Sequence, residues 1–143
     1  MSKHYKIGYT SGTYDLFHIG HLNILKNAKN YCDFLIVAVS TDDLVNQYKN
    51  HLPIIPFNER CAIVSAIKYV DKVIPQTDMN KLKAALDNNI NVMFVGSDWQ
   101  GTEKWNNIEK ELKKYNIDVI YLPHTEGVSS TILRKKIKGE TYE

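Results

Sequence analysis

The chain has 143 residues, with 18 Lys and Arg against 16 Asp and Glu, a formal net charge of +2 and 43% hydrophobic residues. That supports one ordinary core and argues against a disordered chain and against a polyanion binder that relies on bulk charge. No apolar run approaches the roughly 20 residues that span a bilayer, and the N-terminal residues lack the apolar stretch of a signal peptide.

Cys32 and Cys61 stand apart, each in an apolar stretch, with no CxxC spacing. They read as reduced core residues. The expectation is a single intracellular domain over residues 1–143.

In chain order, residues 6–10 form a short strand that ends at a turn around Ser11 and Gly12. Residues 21–31 place Leu22, Leu25 and Ala28 at helical spacing. Residues 34–39, Phe-Leu-Ile-Val-Ala-Val, are continuously apolar and β-rich, as a strand covered on both faces is. A polar loop with Pro53 and Pro56 follows, and Asn58 is the expected N-cap of a helix to about Tyr69, with Ile63, Val64 and Ile67 inward. Residues 72–74 form a strand closed by Pro75. Asp78 is the expected cap of a helix carrying Leu82, Ala85 and Leu86. Residues 92–95 form a strand ending at Gly96, and Ile108, Leu112 and Tyr115 mark the next helix. Residues 119–122 are the fifth strand, closed by Pro123. Ser129 caps a last helix with Ile132, Leu133 and Ile137.

Strand and helix alternate throughout, with no repeat and no linker. The pattern predicts a single doubly wound, Rossmann-like α/β domain: a parallel five-stranded sheet with helices on both faces. In such folds the ligand sits beyond the carboxyl ends of the strands. The loops at 11–18, 40–58, 96–105 and 123–130 therefore carry the expected site.

The most informative segment is Gly12-Thr13-Tyr14-Asp15-Leu16-Phe17-His18-Ile19-Gly20-His21. His18 and His21 share one face of the opening turn of a helix, and Gly20 lets a ligand approach the backbone. Two imidazoles, free N–H groups and the positive dipole end suit a phosphate. Taken alone, such a pair reads as surface histidines in a Gly-containing turn. The strand-to-helix context favours the anion site.

GTYDLFHIGH resembles the HxGH signature of the nucleotidylyltransferase superfamily, and within it the cytidylyltransferase branch. Val-Ser-Thr-Asp at 39–42, Glu59-Arg60, residues 69–74, Gly96-Ser-Asp-Trp99 and residues 124–131 agree in order and spacing. Over nearly the whole chain they are similar to the small bacterial glycerol-3-phosphate cytidylyltransferases. The resemblance implies attack of a phosphomonoester oxygen on the α-phosphorus of CTP, with pyrophosphate leaving and no covalent enzyme intermediate.

Catalysis would then be positioning and charge stabilisation, with His18, His21 and Lys49 in the catalytic roles. The nucleotide would meet Thr13, Tyr14, His18, Ile19, Gly20 and His21. It would also meet the second signature: His124, Thr125, Glu126, Gly127, Val128, Ser129, Ser130 and Thr131. That signature ordinarily opens with Arg, and His124 stands there. An imidazole donates fewer bonds than a guanidinium and titrates near neutrality, so weaker or pH-dependent nucleotide affinity is one consequence and a changed acceptor or nucleotide another. Arg134, Lys135 and Lys136, one turn on, would compensate or form a solvated helix end.

Asp15, Lys49, Arg60, Asp98 and Trp99 are the candidates for the acceptor side. Asp15 would orient a ligand hydroxyl or make an Asx turn. Lys49 would bridge two phosphates or lie solvated. Arg60 would reach the phosphates or pair with Asp71. Lys81 and Lys83 fall near a helix position where some relatives present an acceptor-binding Lys.

Mg2+ is expected through the triphosphate, with no dedicated metal ligands. The expected partners are CTP and a small phosphomonoester, most directly glycerol 3-phosphate, in a cytoplasmic homodimer with no nucleic acid or membrane. The alternatives are transfer to phosphoethanolamine, phosphocholine or a polyol phosphate, adenylyl transfer from ATP, and a nucleotide-binding regulator without turnover.

Overall fold

The computed structural model describes residues 4–139; both chain termini, including the first three residues of the N-terminal reading, lie outside that range. The elements are β1 (Tyr5–Gly12), α1 (Ile19–Lys29), β2 (Cys32–Ser40), α2 (Asp42–Lys49), α3 (Phe57–Ser65) and β3 (Lys72–Gln76). They continue with α4 (Lys81–Asp87), β4 (Val92–Gly96), a 3-10 turn (Ser97–Trp99), α5 (Glu103–Lys113), β5 (Asp118–Leu122) and α6 (Ser130–Ile137). All four strand pairings are parallel, in the order β3-β2-β1-β4-β5. The chain winds outward from β1 to β3, then crosses to β4. The order therefore reverses between β1 and β4, which opens a crevice at their carboxyl ends.

The continuous apolar run of β2 is explained by burial on both sides of the sheet. Leu35, Val37 and Val39 pack with Leu25 and Ala28 of α1 and Val64 of α3. The alternate residues Ile36 and Ala38 pack with Ala85 of α4 and with Trp105 and Leu112 of α5. Helices cover both faces, as the alternation predicted.

Local boundaries differ from the sequence reading in several places. The stretch 40–58 was expected as loop, but α2 forms within it. Thr41 caps α2 through Leu44 N, Asp42 and Asp43 favour its dipole, Leu44 and Val45 are buried, and Asn50 ends it in a left-handed conformation. Helix α3 starts after Pro56 rather than at Asn58 and ends at Ser65. It buries Val64 but leaves Ile63 42% exposed. Strand β3 runs through Pro75 to Gln76, because an edge strand needs pairing on one side only. Asn80, not Asp78, caps α4, and Leu86 is exposed. Tyr115 lies beyond α5 and is also exposed.

Candidate active site

Strand β1 delivers Gly12 to the crevice, and residues 13–18 carry the chain into α1. Tyr14 and Leu16 both have positive φ, 57° and 49°, an uncommon conformation for side-chain-bearing residues that concentrates at functional sites. The turn stays in place because its members are tied down. Tyr14 is buried, and the rings of Tyr14 and Phe17 lie 5.3 and 5.2 Å from that of His21.

His18 is the N-cap of α1. Its Nδ1 accepts from Gly20 N at 3.1 Å, and Nδ1 of His21 accepts from His18 N at 3.1 Å. Each Nδ1 therefore keeps a lone pair, and each neutral ring carries its hydrogen on Nε2 at the opposite edge. The two rings stack with centroids 3.8 Å apart. Burial lowers the pKa of His18. For His21, burial, then His18 and Lys49, push it down to about 3 against the opposing pull of Asp15. At neutral pH the pair is a double N–H donor without charge. Gly20 owes its identity to this pair: a Cβ there would sit 2.9 Å from Cε1 of His18 and 3.4 Å from Val128. The space beside Gly20, read from sequence as room for a ligand, is filled by protein. Ile19 is exposed.

Asp15 is buried and makes no Asx turn within its own loop. Its two carboxylate oxygens accept from Ile54 N and Ile55 N, each at 2.9 Å. Arg134 Nη1 approaches to 3.7 Å, and the Asp15 carbonyl accepts from Ser130 Oγ at 2.5 Å. Arg134 is thus engaged against Asp15.

Arg60, with a fully buried side chain, does not pair with Asp71, which is held by Lys29 and Leu35 N. Its guanidinium donates to the carbonyls of Thr13, Ser40 and Ile55 and pairs with Asp42 at 2.6 Å. It joins the β1 and β2 exits to the loop between α2 and α3. The sequence alone did not reveal this role, because its partners are mostly backbone carbonyls far along the chain.

The second signature enters from β5. Thr125 Oγ1 accepts from Asn23 of α1 at 2.7 Å, Gly127 turns with φ 80°, and Val128 lies over Gly20. Ser129 caps α6 through Ile132 N, and Thr131 accepts from Arg134. Glu126 is exposed. The N-termini of α1 and α6 therefore adjoin, held by Ser130–Asp15 and Asn23–Thr125. Together they bring two positive helix-dipole ends to one region, a setting for anionic oxygens.

His124 pairs with Asp98, Nε2 to Oδ1 at 2.8 Å, with both side chains more than half exposed. Trp99 is exposed on the same rim, with the Lys104 ammonium 6.0 Å from its ring. Lys49 ends α2, is exposed, and acts electrostatically on His21. Thr13 Oγ1 lies 3.2 Å from the Tyr48 hydroxyl. Lys81, one of the two lysines near the helix position to which the resemblance points, is almost fully buried with Nζ 2.8 Å from Ser11 Oγ. Burial, reinforced by Lys104 and opposed by Asp78, lowers its pKa to about 8. Lys83 is exposed on α4. A depression of about 580 Å3 beside β5 and α5, lined by Tyr5, Glu109, Lys113 and Asp118, contains none of these residues.

Comparison with known proteins agrees with this geometry. The Cytidylyltransferase-like family model matches residues 9–136. The chain is 38% identical to a glycerol-3-phosphate cytidylyltransferase of Bacillus subtilis (strain 168) over 131 residues, covering 91% of this chain and 95% of that one. It is 36% identical to a glycerol-3-phosphate cytidylyltransferase of Staphylococcus aureus (strain NCTC 8325 / PS 47), covering 92% and 94%. Among solved structures it is similar to a lipopolysaccharide core biosynthesis protein of Thermoplasma volcanium GSS1, with a TM-score of 0.69 and 25% identity over 85% of this chain and 97% of that one. A pantoate-beta-alanine ligase of Francisella tularensis shares the fold, with a TM-score of 0.61 and 16% identity over 94% of this chain and 69% of that one.

Proposed function

The chain belongs to the cytidylyltransferase-like family and is a nucleotidyltransferase, and from that premise we propose how its site transfers CMP from CTP to glycerol 3-phosphate, giving CDP-glycerol and pyrophosphate. The observation that carries the reading is the reciprocal capping of His18 and His21. It fixes both rings neutral, with Nε2–H directed away from the backbone. Such donors need no reorganisation when negative charge builds on the α-phosphate, which is where preorganised hydrogen bonds accelerate a reaction most.

In this reading the triphosphate lies across the adjoining N-termini of α1 and α6, with the Nε2–H groups of His18 and His21 on α-phosphate oxygens. The acceptor phosphate oxygen attacks in line, pyrophosphate leaves, and no bond to the protein forms. Lys49 supplies positive charge from the rim. Lys81 is the second cation: a desolvated ammonium whose hydrogen-bond partner among the described residues is a neutral hydroxyl favours an incoming anion, and the acceptor phosphate fits that need. Asp98, Trp99 and His124 border the opening, while Asp15 and Arg60 hold its walls.

Mg2+ enters as part of the substrate, bound to the triphosphate. The Asp15 carboxylate is taken up by backbone amides, and among the described residues no group of three His, Cys, Asp or Glu side chains is placed to hold a metal. No helix among the described residues is long and apolar enough to cross a membrane. The resemblance extends the reading to a homodimer, which sedimentation of the purified protein tests, and to the cytoplasm, which cell fractionation tests.

The deciding experiment is pyrophosphate release with Mg2+, offering CTP or ATP against glycerol 3-phosphate, phosphoethanolamine, phosphocholine and polyol phosphates. Release with CTP and glycerol 3-phosphate alone is the expected result. Release with another pair would reassign the substrate. Silence across the panel, with CTP bound, would mean a binding protein on an enzyme's scaffold.

A further inference from the structure

Among the described residues, the buried side-chain polar atom left without a hydrogen-bond partner is Oε1 of Gln76. Gln76 ends β3, is only 7% exposed, and registers with Ser40 of β2. Because strand side chains alternate, Gln76 shares a sheet face with Ile74, Ser40 with Ala38, and Ser11 with Tyr9. Ile74, Ala38 and Tyr9 all belong to the core under α4 and α5. Gln76 therefore stands at the carboxyl edge of the same face that presents Ser11 and, bound to it, the Lys81 ammonium. Among the described residues its side chain makes one hydrogen bond, from Nε2 to the sulfur of Met79 at 3.2 Å. Met79 is itself 39% exposed, an unbranched and adaptable side chain between the amide and solvent.

We propose that Gln76 is the specificity-determining residue for the acceptor alcohol: its Oε1 accepts a hydrogen bond from a free hydroxyl of a polyol phosphate whose phosphate lies on Lys81, with Met79 moving aside on entry. This inference rests on the assignment of Lys81 to the acceptor phosphate. The chemistry selects among acceptor classes. A neutral amide oxygen on the same sheet face as a cation welcomes a hydroxyl. Choline has no donor to offer, and the ammonium of ethanolamine would be placed near the Lys81 charge. An acceptor without the hydroxyl leaves the buried oxygen unpaired in the complex as well, which is how polar sites discriminate most strongly.

The test is calorimetric titration of glycerol 3-phosphate and of n-propyl phosphate into the CTP-saturated protein, with chelator present so that binding is read without turnover. The wild type should prefer glycerol 3-phosphate by about a hundredfold or more. In Gln76→Met, similar in shape but without an acceptor oxygen, the preference should fall below about fivefold while n-propyl phosphate keeps its affinity. The apo variant should melt at or above the wild-type temperature, because an unpaired buried acceptor has been removed. Should Gln76→Met not fold, Gln76→Asn, which withdraws the amide by one methylene, must show the same collapse.

An undiminished preference in a folded variant, equal loss of both compounds, or a wild type that does not distinguish them would overturn the role of Gln76 and leave the Lys81 assignment standing. A wild type that binds CTP but neither phosphomonoester would instead overturn the acceptor reading, and this inference with it.

Discussion

At the scale of single residues, the site depends on two imidazoles that stay neutral. A His18 or His21 that took up a proton would turn Nδ1 into a donor facing a backbone N–H, so acid breaks the caps as well as charging the rings. His21→Ala should lower kcat by about 10²–10³-fold, the usual cost of one preorganised donor, with the far-UV circular dichroism unchanged; near-normal turnover would remove His21 from the mechanism. Gly20→Ala should act through geometry. Its Cβ displaces the His18 ring that it would meet at 2.9 Å. The loss of the cap should cost about 1 kcal/mol and kcat about tenfold or more. Steady-state kinetics and a urea titration of the same preparation read both.

His124 invites the opposite experiment. An arginine there presents a fixed fork of donors, whereas an imidazole does not. Calorimetry of CTP binding should therefore show His124→Arg binding more tightly than the wild type. Equal affinities in both proteins would place His124 outside the phosphate site.

At the scale of elements, the crevice is built by cross-links that run through α2, α3 and α6. Arg60 connects Thr13, Ser40, Ile55 and Asp42 from within α3, and Asp15 connects residues 54–55 to α6. Replacing Arg60 by Met strands the buried carbonyl of Ser40 and the part-buried carbonyls of Thr13 and Ile55. We expect a loss of about 3 kcal/mol, the lower end for a broken buried pair, because the Asp42 carboxylate keeps 38% of its exposure and rehydrates. Urea unfolding followed by tryptophan fluorescence measures it; a change under about 1 kcal/mol would show that the loop between α2 and α3 holds itself.

The same elements separate what the sequence disclosed from what it hid. Strands β2 and β4 and helix α1 were legible from apolar runs and period. Helix α2 was not, because its eight residues carry only Leu44 and Val45 as apolar anchors and two prolines follow closely. The course of β3 through Pro75 was equally hidden, since an edge position is a property of the sheet.

At the scale of the whole molecule, the depressed histidine pair couples the site to global stability. The unfolded chain takes up a proton at His21 near the ordinary histidine pKa of 6.5, while the folded protein does so only at about 3. Between those values the unfolded state binds more protons, so stability rises with pH across the window and is complete above 6.5. Urea midpoints should therefore fall steadily from pH 7 to pH 4, and His21→Ala should flatten that slope. An unchanged slope would mean that His21 titrates normally.

The sequence by itself determined the alternation of strands and helices, the two signatures and their place at strand ends, because these depend on local period, capping residues and short-range spacing. It also carried the resemblance that led to the chemistry. Tertiary structure alone decided which polar side chains are structural and which are free to act. Asp15, Arg60, Lys81 and Gln76 look equally available in a line of letters. Burial and the distant backbone groups that reach them turned the first two into struts. The same burial left the ammonium of Lys81 with a neutral hydroxyl and the amide oxygen of Gln76 with no partner, since a polar group's role follows from what the fold brings within about 3 Å of it.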